Sequence, residues 1–257
     1  MDLSIISRTG GPVLLWRGPD YDSLDLTGPV VANWVNKGVG LFGDYDLGPD
    51  FTLFAPMPEG LHWRELVAIL SVLLAGGRVV LASGDASTAG TDASTAGTTA
   101  APPDGDFFAL VPFGHESAEN LVDAEEIFVF NPPALALSTP VDEDFIDVNS
   151  AIRAYPDVTP RRLAATGTLE IDGENIDWTN IGASAAPGAD GSAAGPGRPA
   201  GILVSKSTPR PDQWAAFLNH LLGGGEILLA NGIDDARLVD LADSLGEVRG
   251  RLGAWTK

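Results

Sequence analysis

The sequence predicts an α/β protein built from two related β-α-β subdomains with mainly parallel sheets. Three observations carry this: a unit that occurs twice, helical stripes of apolar residues inside each copy, and flanking apolar runs that do not alternate. Residues 51–85 read FTLFAP, then EGLHWRELVAILSVLLAGG, then RVVLASGD; residues 201–234 read GILVSKS, then PDQWAAFLNHLLGGG, then EILLANGID. Each copy is a short apolar run, an amphipathic stretch led by a tryptophan, a glycine cluster and a second apolar run. That order is the grammar of a parallel crossover.

In the second copy, Trp214, Phe217, Leu218, Leu221 and Leu222 recur at intervals of three and four and share one helical face. Thr208 followed by Pro209 suits the helix start, and Gly223–Gly225 suits its end, because glycine enters the left-handed region without a side-chain penalty. In the first copy, Trp63, Leu66, Val67, Leu70, Leu73 and Leu74 form the stripe. Ile69 and Val72 widen it, which predicts a helix covered on more than one side. The runs Phe51–Ala55, Val79–Ala82, Ile202–Ser205 and Ile227–Ala230 are continuous, as strands covered on both faces should be.

Elsewhere, GGPVLLWRGPD near the front reads as a strand, and Thr27 as the cap of a helix containing Val31, Trp34, Val35 and Leu41. DFFALVPF and EEIFVFNPP read as two further strands separated by a short helix near Glu116–Ala124. LAATGTLEIDGENIDW predicts a hairpin turning at Asp172-Gly173, and a last helix is expected from Asp234 to Leu245, stopped by Gly246. Two segments of small residues interrupt the chain, the tandem GDASTAG/TDASTAG insert within 84–105 and GASAAPGADGSAAGPGRP at 182–199. Neither can offset its ordering entropy by burial. The expected division is therefore a first subdomain at 1–140 carrying a flexible insert at 84–105, a connecting segment and hairpin at 141–182, a flexible linker at 183–199, and a second subdomain at 200–257.

At 257 residues and 44% hydrophobic, the chain can build a substantial core. Its formal charge of −20 opposes binding to nucleic acid or anionic lipid, since phosphates would be repelled. The lysines are Lys37, Lys206 and Lys257, and the absence of cysteine excludes disulfides, thiolate chemistry and cysteine-ligated zinc. The longest apolar stretch, Leu66–Ala75, is too short to cross a bilayer, and MDLSIISRTGG lacks the form of a secretory signal. A cytoplasmic protein with no membrane or nucleic-acid partner is the expectation.

No motif specifies a reaction. Gly38-Val39-Gly40-Leu41-Phe42-Gly43 has the glycine spacing of a dinucleotide-binding turn, but it would close a helix where such a turn must open one, so it reads as a helix terminus. Ser94–Thr99 lacks the lysine of a phosphate loop. His62, His115 and His220 have no second ligand at helical or hairpin spacing, which makes them surface or interface residues and leaves no metal site. Ser205, Lys206, Ser207 and Thr208 lie between a strand end and a helix start, where exposed amides and a helix dipole favour an anion; they are the ligand-binding residues the sequence nominates.

Asn33-Trp34-Val35-Asn36-Lys37, the Gly48-Pro49-Asp50 turn, His62-Trp63 and Leu74–Val80 together resemble an uncharacterised actinobacterial protein family distantly similar to the amino-terminal part of AMP-dependent synthetases. Asp147–Asp157 (DVNSAIRAYPD) is similar to that family's middle block, and Gly201–Asp235 to its second α/β half. The resemblance implies a synthetase-like body without the mobile carboxy-terminal domain that carries the catalytic lysine. The synthetases' phosphate loop would fall near Ala165–Gly173, where Thr166-Gly167-Thr168 runs into Leu169-Glu170-Ile171-Asp172. Where the enzymes carry an aromatic-and-histidine motif at the acyl pocket, this chain has Pro209–Asp212. Losing such charge-stabilising groups costs several kcal/mol of barrier each. The implied protein has no catalytic residues and no cofactor, ATP or AMP being unsupported by motif, and holds a nucleotide or acyl ligand between its halves. A minimal ATP-dependent acyl-activating enzyme and a structural or interaction protein are the alternatives.

Overall fold

A computed structural model describes residues 3–58, 60–83, 101–158, 167–178 and 201–253. The chain order is β1 (Pro12–Arg17), β2 (Ser23–Thr27), α1 (Gly28–Gly43), β3 (Thr52–Met57), α2 (Trp63–Leu74), β4 (Arg78–Ser83), β5 (Phe108–Pro112), β6 (Ile127–Phe130), β7 (Ile146–Asp147), α3 (Val148–Ala151), β8 (Thr168–Ile171), β9 (Glu174–Ile176), β10 (Ile202–Lys206), α4 (Trp214–Leu222), β11 (Glu226–Ala230), α5 (Asp235–Leu245) and β12 (Val248–Gly253). These strands form two sheets, a five-stranded one ordered β12-β10-β11-β1-β2 and a seven-stranded one ordered β7-β6-β5-β3-β4-β8-β9. All pairings are parallel except β1 with β2 and β8 with β9.

Both copies of the repeat are β-α-β crossovers. In the first, β3 and β4 pair in parallel with Leu53 opposite Val79; in the second, β10 and β11 pair with Leu203 opposite Ile227. The strands read as unbroken apolar runs because each is covered on both faces. Leu53 and Ala55 enter one core with α1 and α2, whereas Phe54 between them enters another with Phe107 and Val129. The core that holds α1, α2 and Trp214, Phe217 and Leu218 of α4 also takes residues from both sheets, so these helices lie between them. The outer face of the five-stranded sheet is covered by Leu238 and Ala242 of α5.

Every residue of α2 is buried, matching its two-sided stripe, and the hairpin turns at Asp172 (φ 50°) and Gly173 (φ 81°) as its sequence requires. Asp234 caps α5 by accepting a hydrogen bond from the Arg237 N–H. Four expectations change. The front strand β1 pairs in parallel with β11 across the molecule, so the sheets do not divide at residue 140. The Glu116–Ala124 helix is a single 3₁₀ turn at Glu119–Leu121, because Leu121 alone in that turn is buried. The start of α4 is not Thr208-Pro209; a 3₁₀ turn at Pro211–Gln213 precedes it, and Gln213 Oε1 accepts from the Arg210 N–H at 3.0 Å. The flexible segments expected at 84–105 and 183–199 lie outside the described residues, apart from 101–105.

The fourth change concerns Gly38, Gly40 and Gly43, which lie within α1 and not beyond its end. A Cβ on Gly38 would stand 2.3 Å from Ser71 Oγ on α2, and one on Gly40 would stand 2.8 Å from the Tyr155 ring. Gly38 and Gly40 are there for close approach, which outweighs their poor helical propensity. Gly38→Val is therefore expected to destabilise the protein by about 1–3 kcal/mol, read as a lowered urea midpoint with an unchanged slope.

Candidate functional site

The start of α2 organises a buried polar cluster where the two sheets meet. His62 caps the helix: its Nδ1 accepts the Arg64 N–H at 3.1 Å, while Glu65 Oε2 accepts the His62 N–H at 2.7 Å. With Nδ1 accepting, Nε2 carries the proton and donates to the Pro132 carbonyl at 2.9 Å. The imidazole packs edge-on to Trp16 of β1, ring centres 4.4 Å apart, and stacks on Phe130 at 4.9 Å. Burial first and the neighbouring Arg64 second push its pKa down to about 3, so it is neutral at physiological pH.

Arg64 is only 7% exposed. Its Nη2 donates to the carbonyls of Ala134 at 3.2 Å and Ala136 at 2.9 Å, and its guanidinium lies 4.3 Å above the Trp63 ring. Burial lowers its pKa to about 10, opposed by the charges of Asp147 and Asp22, so it remains a cation. Asp22 also accepts the Ala134 N–H at 2.7 Å, and Asn149 of α3 clasps the same segment through Asn131 and Ala136. The segment following β6 is thereby held as a roof above the helix start.

Beneath that roof lies a cavity of about 380 Å³, within the usual range for small-molecule sites. Leu24 comes from β2, Trp34 and Lys37 from α1, Trp63 and Arg64 from α2, Ala134–Leu137 from the roof, and Asn149 and Arg153 from α3 and the turn after it. Its lining includes three cations and no acid, in a chain with 35 acidic and 15 basic residues. Lys37 is paired with Asp157 at 2.9 Å and donates to the Tyr155 carbonyl; Arg153 Nη1 reaches the Leu137 carbonyl at 3.4 Å. The indole N–H of Trp63 and the Nε–H of Arg64 are buried with no hydrogen-bond partner among the described residues.

The residues nominated from sequence sit elsewhere. Ser205 is fully buried in the row Ser205-Leu229-Trp16 across the five-stranded sheet, and its hydroxyl has no partner among the described residues. Lys206 forms an ion pair with Asp235 at the start of α5. Ser207 adopts φ 57° and donates its N–H to the Ala230 carbonyl; Thr208 Oγ1 lies 4.0 Å from Met57 Sδ at the end of β3. The carboxyl ends of β3 and β10 thus meet closely, for a Cβ on Gly60 would stand 3.0 Å from Ser207 Cα. None of the four lines the cavity. Of the histidines, His62 and His220 are buried, and His220 Nε2 bonds the Glu226 carbonyl at 3.0 Å. Among the described residues, no group of three or more potential ligands is placed to hold a metal ion.

Arg64, Asn149 and Arg153 were not singled out by sequence, yet a signal for them existed. Trp34 and Lys37, His62 and Trp63, and the 147–157 block are the segments that carry the resemblance described above, and the structure brings all three to this cavity or its wall.

No protein-family model and no curated protein matches the sequence. Solved structures do. An acyl-CoA synthetase from Brucella canis is 12% identical with a TM-score of 0.62, over 97% of this chain and 47% of that one. An amide bond synthetase from Marinactinospora thermotolerans is 14% identical in two structures, with TM-scores of 0.54 and 0.51, over 97% and 93% of this chain and 47% and 46% of theirs. The chain therefore spans about half the length of the synthetases it matches. No described helix is long and apolar enough to cross a membrane. The protein has a mixed α/β fold with two mostly parallel sheets, similar to the fold of about half of each of these synthetase chains.

Proposed function

We propose that this protein is a non-catalytic, synthetase-like binding protein that holds a small organic ligand at the seam between its sheets. The observation that carries the reading is the cavity beneath residues 134–137, formed by β2, the helices α1, α2 and α3 and the segment after β6, and reached by the three sequence segments of the resemblance. Activation of an acid with ATP needs cations free to meet a triphosphate. Here Lys37 is held by Asp157, Lys206 by Asp235, and Arg78 by Glu170 at 2.7 Å, on the strand that leads into the hairpin where a phosphate loop was expected. Pairing of these cations supports binding over turnover.

The test combines two measurements. A ligand present at a hundredfold excess over its dissociation constant should raise stability by about 2.7 kcal/mol, visible as a thermal shift. A panel of organic anions, acyl compounds and nucleotides is expected to include at least one such compound, while ATP–pyrophosphate exchange stays at background with every acid. Exchange above background, or a panel that produces no shift, contradicts the reading.

A further inference from the structure

We infer that residues 131–138 form a flap, a stiff loop that lifts from the rest of the fold as one body about its neck and so controls passage between the cavity and solvent. The purpose of the flap rests on the binding reading above, but its opening is independent of any occupant.

The loop is closed on itself. Asn131 Nδ2 donates to the Ser138 carbonyl at 3.0 Å across the neck, and just beyond it Thr139 Oγ1 donates to the Val129 carbonyl at 3.3 Å. Inside the loop the Ala136 N–H donates to the Pro133 carbonyl at 3.0 Å, and Pro132 and Pro133 fix two backbone angles. Its attachment to the rest of the fold is of another kind. Among the described residues, no main-chain hydrogen bond joins 132–138 to a strand or helix. Side chains hold it instead, by its main chain: His62 at Pro132, Arg64 at Ala134 and Ala136, Arg153 at Leu137, Asp22 at the Ala134 N–H, and Asn149 at Asn131 and Ala136. Water can take over each of these bonds when the loop lifts. Little apolar surface resists the motion, for within 131–138 only Ala134 is buried, and Leu135 and Leu137 already face solvent. Lifting therefore uncovers a methyl group where lifting a core element would uncover whole leucines, which places this opening at the low end of the stability range. The hinge stays fixed, because Phe130 and Thr139 on either side of the loop are buried.

The chain has no cysteine, so a single introduced thiol reports alone. Ala134→Cys sets it on the buried underside of the loop, in the cavity wall, and Ala109→Cys sets one in the core on β5. Each whole protein is treated with dithionitrobenzoate, which reacts with a thiol only when that thiol is uncovered. The thiol at 134 is expected to react roughly a hundredfold or more faster than the one at 109, yet at least about tenfold slower than in the urea-unfolded chain. Its rate should stay flat with urea below the unfolding transition while that at 109 rises steeply, since the flap exposes little surface. Adding Asn149→Ala should speed the reaction at 134 by about tenfold, out of proportion to any change at 109. Amide exchange reads the same motion in the unsubstituted protein. The Ala134 N–H, released from Asp22 as the loop lifts, should exchange through the same opening, while the Ala136 N–H, bonded within the loop, stays about tenfold or more better protected. A thiol at 134 no more reactive than one at 109 would mean that the roof never lifts, and one as reactive as in the unfolded chain that it is never shut; either overturns the inference. Equal exchange at Ala134 and Ala136 overturns it too, by showing that the loop unravels. None of these outcomes involves a ligand, so the binding reading is decided separately by the thermal-shift panel.

Discussion

Trp214→Ala is expected to lower the free energy of unfolding by about 3–5 kcal/mol, the usual cost of emptying a fully buried aromatic site. Trp214 is fully buried at the head of α4; its ring meets Phe217 edge-on at 5.2 Å, and its Nε1 donates to the Pro209 carbonyl at 3.0 Å. The alanine variant loses the packing and leaves that carbonyl without its donor. Trp214→Phe should recover most of the packing and leave the hydrogen-bond deficit of about 1 kcal/mol or more. The comparison with Trp63, which heads the helix of the other repeat, separates scaffold from site. Trp63→Ala should cost similar stability and also weaken ligand binding, because Trp63 lines the cavity and Trp214 does not. Urea denaturation reads the stability change. A loss below about 1 kcal/mol for Trp214→Ala would contradict the anchoring role assigned to α4.

Acid should weaken the fold through His62. The folded-state pKa is about 3 against an ordinary 6.5. Between those values the unfolded chain takes up a proton that the native state refuses, so stability falls as pH falls through this window, by about 1.4 kcal/mol per pH unit once well below 6.5. The physical cause is local. A proton on Nδ1 would destroy the acceptor for the Arg64 N–H and set a second positive charge beside the Arg64 guanidinium in a dry site. Replacing His62 with Gln removes the titration while costing a pH-independent amount for the lost cap and ring packing. The stability advantage of the natural protein over His62→Gln should therefore shrink by about 2 kcal/mol between pH 6.5 and 4.5. An advantage that stays constant would show that His62 titrates normally in the folded state.

The parts of the fold that could be read from sequence are those whose evidence is local. Each β-α-β unit announces itself through two continuous apolar runs, a helical stripe and a glycine stop, and all of these sit within one stretch of chain. What sequence could not show depends on partners far away. Pairing of β1 with β11 joins residues 14–17 to 227–230, and nothing in PVLLWR says which sheet it joins. The edge strands β2 and β12 are mixed in character. SLDLT offers a single buried residue, and VRGRLG carries two glycines and two arginines. Gly38 and Gly40 look like a helix stop on propensity, and only the proximity of Ser71 and Tyr155 explains why they stand inside α1. The site was obscured in the same way. Ser205–Thr208 occupy a position that general rules for anions favour, but in the folded chain Lys206 answers to Asp235. The cavity draws on residues near 24, 34, 64, 135 and 150, which only the three-dimensional fold brings together.

The most direct measurement is a crystal structure of the protein soaked with the compound that stabilises it most in the thermal-shift panel. The account predicts ligand density in the cavity beneath residues 134–137, among Trp34, Trp63, Arg64 and Leu137. Density only beyond the strand ends near Ser205–Thr208, or a cavity closed by its own leucines with no ligand bound, would contradict it.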